Sequence, residues 1–142
     1  SPMMWDVLTG EEKNIILLRL LARVCKADDA LRVEEFAYLM HVCTKLGLDP
    51  EVLRTIVLSE TESEEILPSE EHDRMGIMYH MLFTMASDHE VNNKEVNLIH
   101  KLAFRLGFSE AMTRDFIDVM KNQNIQDLPI SMLLDVVRKH NN

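Results

Sequence analysis

The sequence predicts an all-α protein. The chain has 142 residues but only four glycines and four prolines, so it contains few residues that break helices. Apolar residues recur at spacings of three and four along most of the chain, as on the buried face of an amphipathic helix. A chain of this length buries enough surface to need neither a disulfide nor a metal for stability. We therefore expect a single-domain bundle of about seven helices over residues 1–142.

Three helices are predicted in the first half of the chain. Thr9 and Glu12 have the spacing of a capping box, in which both side chains accept free N–H groups at a helix start. Gly47 is typical of the residue just past a helix end, and Asp49-Pro50 fits an N-cap followed by a first helical residue. We expect a short turn at Trp5 and helices at about residues 9–27, 33–46 and 50–58.

Four helices are predicted in the second half. Ser69, Asn92 and Ser109 fit N-cap positions, and Pro129 fits a first helical position. We expect these helices at about residues 69–87, 92–106, 109–121 and 129–140. The apolar residues expected on the buried face of the last helix are Ile130, Leu133, Leu134 and Val137.

The two halves match without a gap when each residue is placed against the residue sixty positions later. Apolar positions, the glycine that ends a helix, and acidic residues all recur in register: examples are Leu18 and Met78, Leu39 and Ile99, Gly47 and Gly107, Asp28 and Asp88, Glu35 and Glu95. This pattern predicts two three-helix repeats related by approximate two-fold symmetry, because a repeat unit buries its apolar face against its copy. The repeats are expected at about 9–58 and 69–121, joined by an acidic linker at 59–68 and followed by the C-terminal helix.

Charge and hydropathy limit the classes of partner. The net charge is −9, and residues 59 to 73 contain seven acids but no Lys or Arg, which favours a cation or a basic protein surface over nucleic acid. No apolar stretch is long enough to cross a membrane. Ser1 and Pro2 are typical of a cloning remnant. Cys25 and Cys43 lie in apolar-periodic segments without CxxC spacing, so we expect core thiols in a cytoplasmic protein.

The segment from Ser87 to Glu95, SDHEVNNKE, resembles a calcium loop in its oxygen-rich composition. Counted from Asp88, however, an EF-hand needs glycine at position 6 and a bidentate Glu at position 12, where this chain has Asn93 and Ile99. An EF-hand is therefore disfavoured. A di-iron carboxylate site is disfavoured as well, because neither Glu35 nor Glu95 is followed by His at the third place.

What recurs is an acidic residue seven positions before a glutamate, and we call these two segments the acidic corners: Asp28 to Glu35 and Asp88 to Glu95. If the two-fold brings them together, the four carboxylates offer the oxygen ligands that Ca²⁺, Mg²⁺ or Mn²⁺ prefer. Helix capping by Glu95, three residues after Asn92, and local hydrogen bonding by Asp88 are the structural alternative. In the first corner the N-cap position is Arg32, whose side chain cannot accept a backbone N–H, so capping explains the recurrence of the glutamate incompletely. Further candidate metal ligands are Asp29, His89 and Glu90.

The first acidic corner, VCKADDALRVEEF, resembles the motif of the TerB-like family, a helical domain associated with tellurite resistance and with co-chaperones. Ala27, Asp28 and Glu35 match the motif, whereas Asp29 and His89 stand where the family has glycine; the paired repeats cover most of residues 11–121. The resemblance implies an all-helical bundle, a cation-binding acidic site, and association with bacterial stress responses or membrane-linked complexes.

The sequence therefore predicts an interaction module with a protein partner rather than an enzyme. No phosphate-binding glycine loop, zinc-like Cys/His pair or nucleophile elbow occurs in the sequence. Two alternatives remain. The first is a small hydrolase that uses the same carboxylates to hold a metal-bound water. The second is a metal-free scaffold that forms homo-oligomers through an apolar repeat face.

Overall fold

The computed structural model describes residues 5–26, 31–59, 67–86, 93–122 and 130–140. Within these ranges the protein has seven α-helices, one short 3-10 turn at Trp5–Val7 and no strand, which confirms the all-α prediction. The helices are α1 (Gly10–Lys26), α2 (Val33–Lys45), α3 (Pro50–Leu58), α4 (Glu71–Ala86), α5 (Asn93–Arg105), α6 (Glu110–Asn122) and α7 (Ile130–His140). None of the described helices is long and apolar enough to cross a membrane.

Several helix ends form as the sequence predicts. At the start of α1, the Glu12 N–H donates to Thr9 Oγ1 over 3.1 Å and the Thr9 N–H donates to Glu12 Oε1 over 3.0 Å, which completes the capping box. Asp49 Oδ1 accepts from the Glu51 N–H at 2.9 Å and caps α3. Ser109 Oγ accepts from the Met112 N–H at 3.1 Å and caps α6. These bonds satisfy N–H groups that the helices leave unpaired.

Two of the predicted helical features are wrong. Ser69 is not the N-cap of α4, which begins at Glu71, and the Ser69 carbonyl accepts a hydrogen bond from Arg74 Nη1 at 2.8 Å. In α7, Leu134 was expected on the buried face but is 39% exposed, whereas Val136 is only 7% exposed. Helical spacing identifies the apolar side of a helix, but it does not identify which residues at the edges of that side become buried against a neighbouring helix.

The repeat spacing is visible in the helix bounds. Helix α5 has the bounds of α2 shifted by sixty residues, and α6 starts sixty residues after α3. Gly47 and Gly107 follow α2 and α5 with φ of 69° and 87°, a left-handed conformation that favours glycine. The residue after each glycine donates back into its helix, from Leu48 to Cys43 at 3.1 Å and from Phe108 to Ala103 at 2.9 Å. The two helix ends thus have the same local geometry.

The chain divides into two compact units, Ser1–Ile77 and Met78–Asn142, with the boundary inside α4. In the first unit, α1, α2 and α3 pack against one another. The fully buried side chains of this unit include Leu17, Leu18, Leu21, Leu39, Leu53 and Ile77. Lys26 Nζ donates to the Val57 carbonyl over 3.4 Å, which places the ends of α1 and α3 side by side.

The core of the second unit is rich in methionine. Helix α6 packs against both α5 and α7. Met78, Met81, Met85 and Met120 have no exposed surface. The Phe108 ring meets the Phe116 ring edge-on, with centroids 5.7 Å apart. His140 Nε2 lies 2.6 Å from Asp115 Oδ2 and ties α7 to α6, and this hydrogen bond lowers the pKa of Asp115.

Candidate acidic site

Of the metal ligands predicted in the first acidic corner, Glu35 is the one that lies within the described residues. It is the third residue of α2 and half-buried, and its Oε1 accepts a hydrogen bond from the Arg32 N–H at 3.1 Å. In a full capping box, the N-cap side chain also accepts a hydrogen bond from the backbone N–H of the third helical residue. The Arg32 side chain has no acceptor and cannot form this bond. Glu35 therefore does have a capping role at the start of α2, which the sequence argument from Arg32 did not anticipate.

Glu95 occupies the same place in α5, as the third residue of that helix, but it is only 3% exposed. A buried carboxylate is stable only when hydrogen-bond donors or a cation compensate its charge. Glu95 does have an interaction partner in the protein. The two corner glutamates thus differ in burial although they share one helical position.

The remaining predicted ligands, Asp28, Asp29, Asp88, His89 and Glu90, lie outside the described residues. Glu35 belongs to the first compact unit and Glu95 to the second. Among the described residues, no three His, Cys, Asp or Glu side chains form a group that could hold a metal ion. The cation site remains a prediction, because five of its seven candidate ligands fall in ranges that the structure does not describe.

A second polar cluster, which sequence reasoning missed, lies at the start of α4. Asp73 is 2% exposed, and its Oδ1 accepts a hydrogen bond from the Trp5 N–H at 2.9 Å. Asp73 is the third residue of α4, where a negative charge also stabilises the positive end of the helix dipole. One buried carboxylate therefore attaches the amino-terminal turn to α4.

The Trp5 side chain fills the space above a glycine in the same helix. It is 4% exposed, and a Cβ built on Gly76 would lie 2.5 Å from Trp5 Cδ1 and 2.9 Å from Nε1. The Lys13 ammonium lies 5.6 Å from the centre of the ring, within the range of a cation–π interaction. The indole ring thus packs directly on the backbone of α4, which only glycine permits at this position.

An exposed ion pair reinforces this attachment. His72 Nε2 lies 2.7 Å from Asp6 Oδ2, with about two thirds of each side chain exposed. The hydrogen bond that His72 donates to the Asp6 carboxylate is the main cause that raises the pKa of His72, and the nearby charges of Asp73 and Glu70 act in the same direction. A raised histidine pKa means that the pair stabilises the fold fully below pH about 6.5 and that this contribution is lost as the pH rises through the folded-state pKa.

We expect Asp6→Asn to lower the pKa of His72, because the substitution removes the carboxylate that favours the imidazolium. The measurement is an NMR titration of the His72 ring protons in both proteins. Asp135→Asn is the matched control, since Asp135 is also exposed and paired, with Arg138 in α7, and should leave the His72 titration unchanged. An identical His72 pKa in the wild type and Asp6→Asn would contradict the pair described here.

The two cysteines are buried free thiols, which confirms their predicted place in the core. Cys43 Sγ lies 3.6 Å from the carbonyl oxygens of Leu48 and Asp49. Burial is the main cause that raises the pKa of the Cys43 thiol, so the unreactive protonated form is favoured. Cys43 therefore contributes to packing at the end of α2 rather than to nucleophilic chemistry.

No protein-family model, no curated protein and no solved structure matches the chain.

Proposed function

We propose that this chain is a TerB-like helical interaction module of a bacterial stress-response system that binds a divalent cation through its acidic corners. The proposal includes the finer architecture expected from the sequence, in which two three-helix repeats are related by an approximate two-fold axis. It also places the protein in the cytoplasm, which two buried free thiols support.

The observation that carries the proposal is the burial of Glu95. Helices α2 and α5 place a glutamate at the same position, sixty residues apart, and one of the two carboxylates is almost wholly removed from solvent. Capping alone does not require such burial, because Glu35 caps α2 while half-buried. A bound cation would add to the interaction that Glu95 already makes and would further offset the cost of removing its charge from water.

The ligands in this proposal are Asp28 and Glu35 from the first acidic corner and Asp88 and Glu95 from the second, with Asp29, His89 and Glu90 as further candidates. Carboxylate oxygens suit hard cations, so we expect Ca²⁺, Mg²⁺ or Mn²⁺ rather than a soft metal. The cation's role would be to hold the first turns of α2 and α5, because Glu35 and Glu95 lie there.

We expect isothermal titration calorimetry of the full chain to detect Mn²⁺, Ca²⁺ or Mg²⁺ at concentrations up to about 1 mM, the range of weak protein calcium sites. Glu95→Gln should weaken binding by at least about tenfold, because it replaces a charged ligand by a neutral amide of the same shape. Glu35→Gln tests the first corner in the same way. Glu110→Gln, at the exposed first residue of α6, is the control and should bind like the wild type.

Two results would contradict cation binding. The first is the absence of heat with all three ions at millimolar concentration. The second is equal affinity in the wild type, Glu35→Gln and Glu95→Gln, with all variants folded by circular dichroism. Either result would favour a purely structural role for Glu35 and Glu95.

A further inference from the structure

Helix α5 carries its exposed cations on one side. Lys94, Lys101 and Arg105 are all exposed, and their spacings of seven and four residues place them within about 40° around the helix axis. Exposed Asn97 and Phe104, the latter with 79% of its surface in solvent, lie on the adjoining part of that side. We call these five residues the α5 face.

The charge of the α5 face is not balanced locally. The only acid in α5 is Glu95, which is 3% exposed. In the described part of the chain, none of the three cations lies in an ion pair with a carboxylate. The chain as a whole carries −9, so this is a local positive surface on an acidic protein.

The fold does not require these residues. The positions sixty residues earlier, in α2, are Glu34, Ala37, His41, Thr44 and Lys45, and all are exposed except the half-buried Lys45. A helix with the same bounds relative to its repeat therefore forms with no net charge at these five positions and with Thr44 in the place of Phe104. The chemistry of the α5 face is a property of the second repeat alone.

The combination of three cations with one exposed ring favours a particular kind of partner. Aromatic and arginine side chains are the usual anchors of protein interfaces, and opposite charges around them direct the encounter. Nucleic acid is disfavoured, because only three cations would contact phosphates and the remaining charge repels a polyanion. A lipid surface is disfavoured too, since each cation contributes only about 1 kcal/mol at an anionic membrane.

We infer that the α5 face docks an acidic protein segment with an apolar side chain that packs on Phe104. This inference gives the interaction module proposed above a partner chemistry and rests on that proposal. It uses none of the candidate cation ligands, so the two can fail separately.

The test is fluorescence anisotropy with the full chain and a labelled peptide of about twelve residues, which is long enough to cover the roughly 16 Å between residues 94 and 105 of a helix. The peptide has three acids, to match the three cations, and one central Leu and one central Phe among Ser and Gly; a second peptide has Ala in place of the Leu and the Phe. We expect the first peptide to bind, to bind more weakly as salt is raised, and to keep its affinity in the presence of chelator.

Charge reversal by Lys101→Glu with Arg105→Glu should weaken binding at least about tenfold, because attraction becomes repulsion. Arg19→Glu together with Lys121→Glu makes the same total charge change at exposed positions outside the α5 face and should retain the wild-type affinity. Phe104→Thr installs the α2 residue and should weaken only the peptide with Leu and Phe. All the substituted residues are exposed, and thermal melts check that each variant is folded.

Absence of peptide binding up to millimolar concentration would overturn the inference, as would equal affinity for the wild type and the charge-reversed variant. Tighter binding of a single-stranded oligonucleotide or of phosphatidylserine vesicles than of the peptide would overturn it in favour of those partners. If the wild-type chain binds Mn²⁺ but does not bind the peptide, the docking site is refuted and the cation site is not. Peptide binding without Mn²⁺ binding supports the docking site and removes the cation site from the proposed function.

Discussion

Trp5→Ala should lower the free energy of unfolding by about 3–5 kcal/mol, the range found when a buried aromatic side chain is truncated. Trp5 is 4% exposed, and its ring is the group that covers Gly76. The substitution leaves a cavity above α4 and also removes the contact with Lys13. Urea denaturation of the full chain, followed by circular dichroism, measures the change.

The matched control for this substitution is Val7→Ala. Val7 belongs to the same 3-10 turn but is 74% exposed, so its truncation should change stability by no more than about 0.5 kcal/mol. A loss below about 1 kcal/mol in Trp5→Ala would mean that the indole does not pack on α4 as described, since full burial of a large apolar side chain alone contributes more than this.

Gly76→Ala should destabilise the protein by about 1–3 kcal/mol, the usual cost of overpacking a filled site. In an ordinary helix interior the same change stabilises by about 0.5–1 kcal/mol, because alanine loses less backbone entropy than glycine. Here the new Cβ would lie 2.5 Å from a ring carbon of Trp5, so the ring or the helix has to move. The predicted sign is therefore opposite to the helix-propensity expectation, and the same denaturation experiment tests it.

Two further variants isolate the cause. Gly10→Ala places a Cβ where no atom lies within 4 Å, so it should not destabilise. Gly76→Ala in the Trp5→Ala background should become neutral or stabilising, because the colliding ring is gone. If Gly76→Ala destabilises equally in both backgrounds, the contact with Trp5 is not the reason.

Most of the helical architecture could be predicted from local signals. The capping box at Thr9, the Asp49 and Ser109 caps and the glycines that end α2 and α5 depend on residues close in sequence, and all are formed. Helix existence follows from such local chemistry together with apolar periodicity. The choice of buried flank in α7 depends on packing against α6, which the sequence does not encode locally, and there the prediction for Leu134 was wrong.

The attachment of the amino-terminal turn could not be predicted for a related reason. Asp73 is the last of the seven acids between residues 59 and 73, and nothing in that run distinguishes it, although it is 2% exposed and bonded to Trp5, a residue 68 positions away. The available signal was Gly76, an isolated glycine inside a helical pattern, which often marks close packing. A single tryptophan near the start of the chain gave no indication of where its ring would lie.

The α5 face could not be recognised in the linear sequence. Its cations are separated by seven and four residues, so no basic run appears in the linear sequence, and only the helix brings them to one side. Glu35 and Glu95 show the reverse case, because they hold the same position in helices with corresponding bounds, whereas their burial differs. Sequence repeats predict backbone geometry better than they predict the environment of each side chain.

The methionine-rich core of the second unit makes oxidation of its methionines depend on transient opening of that core. Met78, Met81, Met85 and Met120 have no exposed surface, so an oxidant such as hydrogen peroxide can reach their thioethers only when that core opens transiently. Each sulfoxide formed would put a polar, larger group into space shaped for a flexible apolar chain and would hinder reclosure. Oxidative damage to this unit should therefore be self-accelerating, with each modified molecule more vulnerable to the next event.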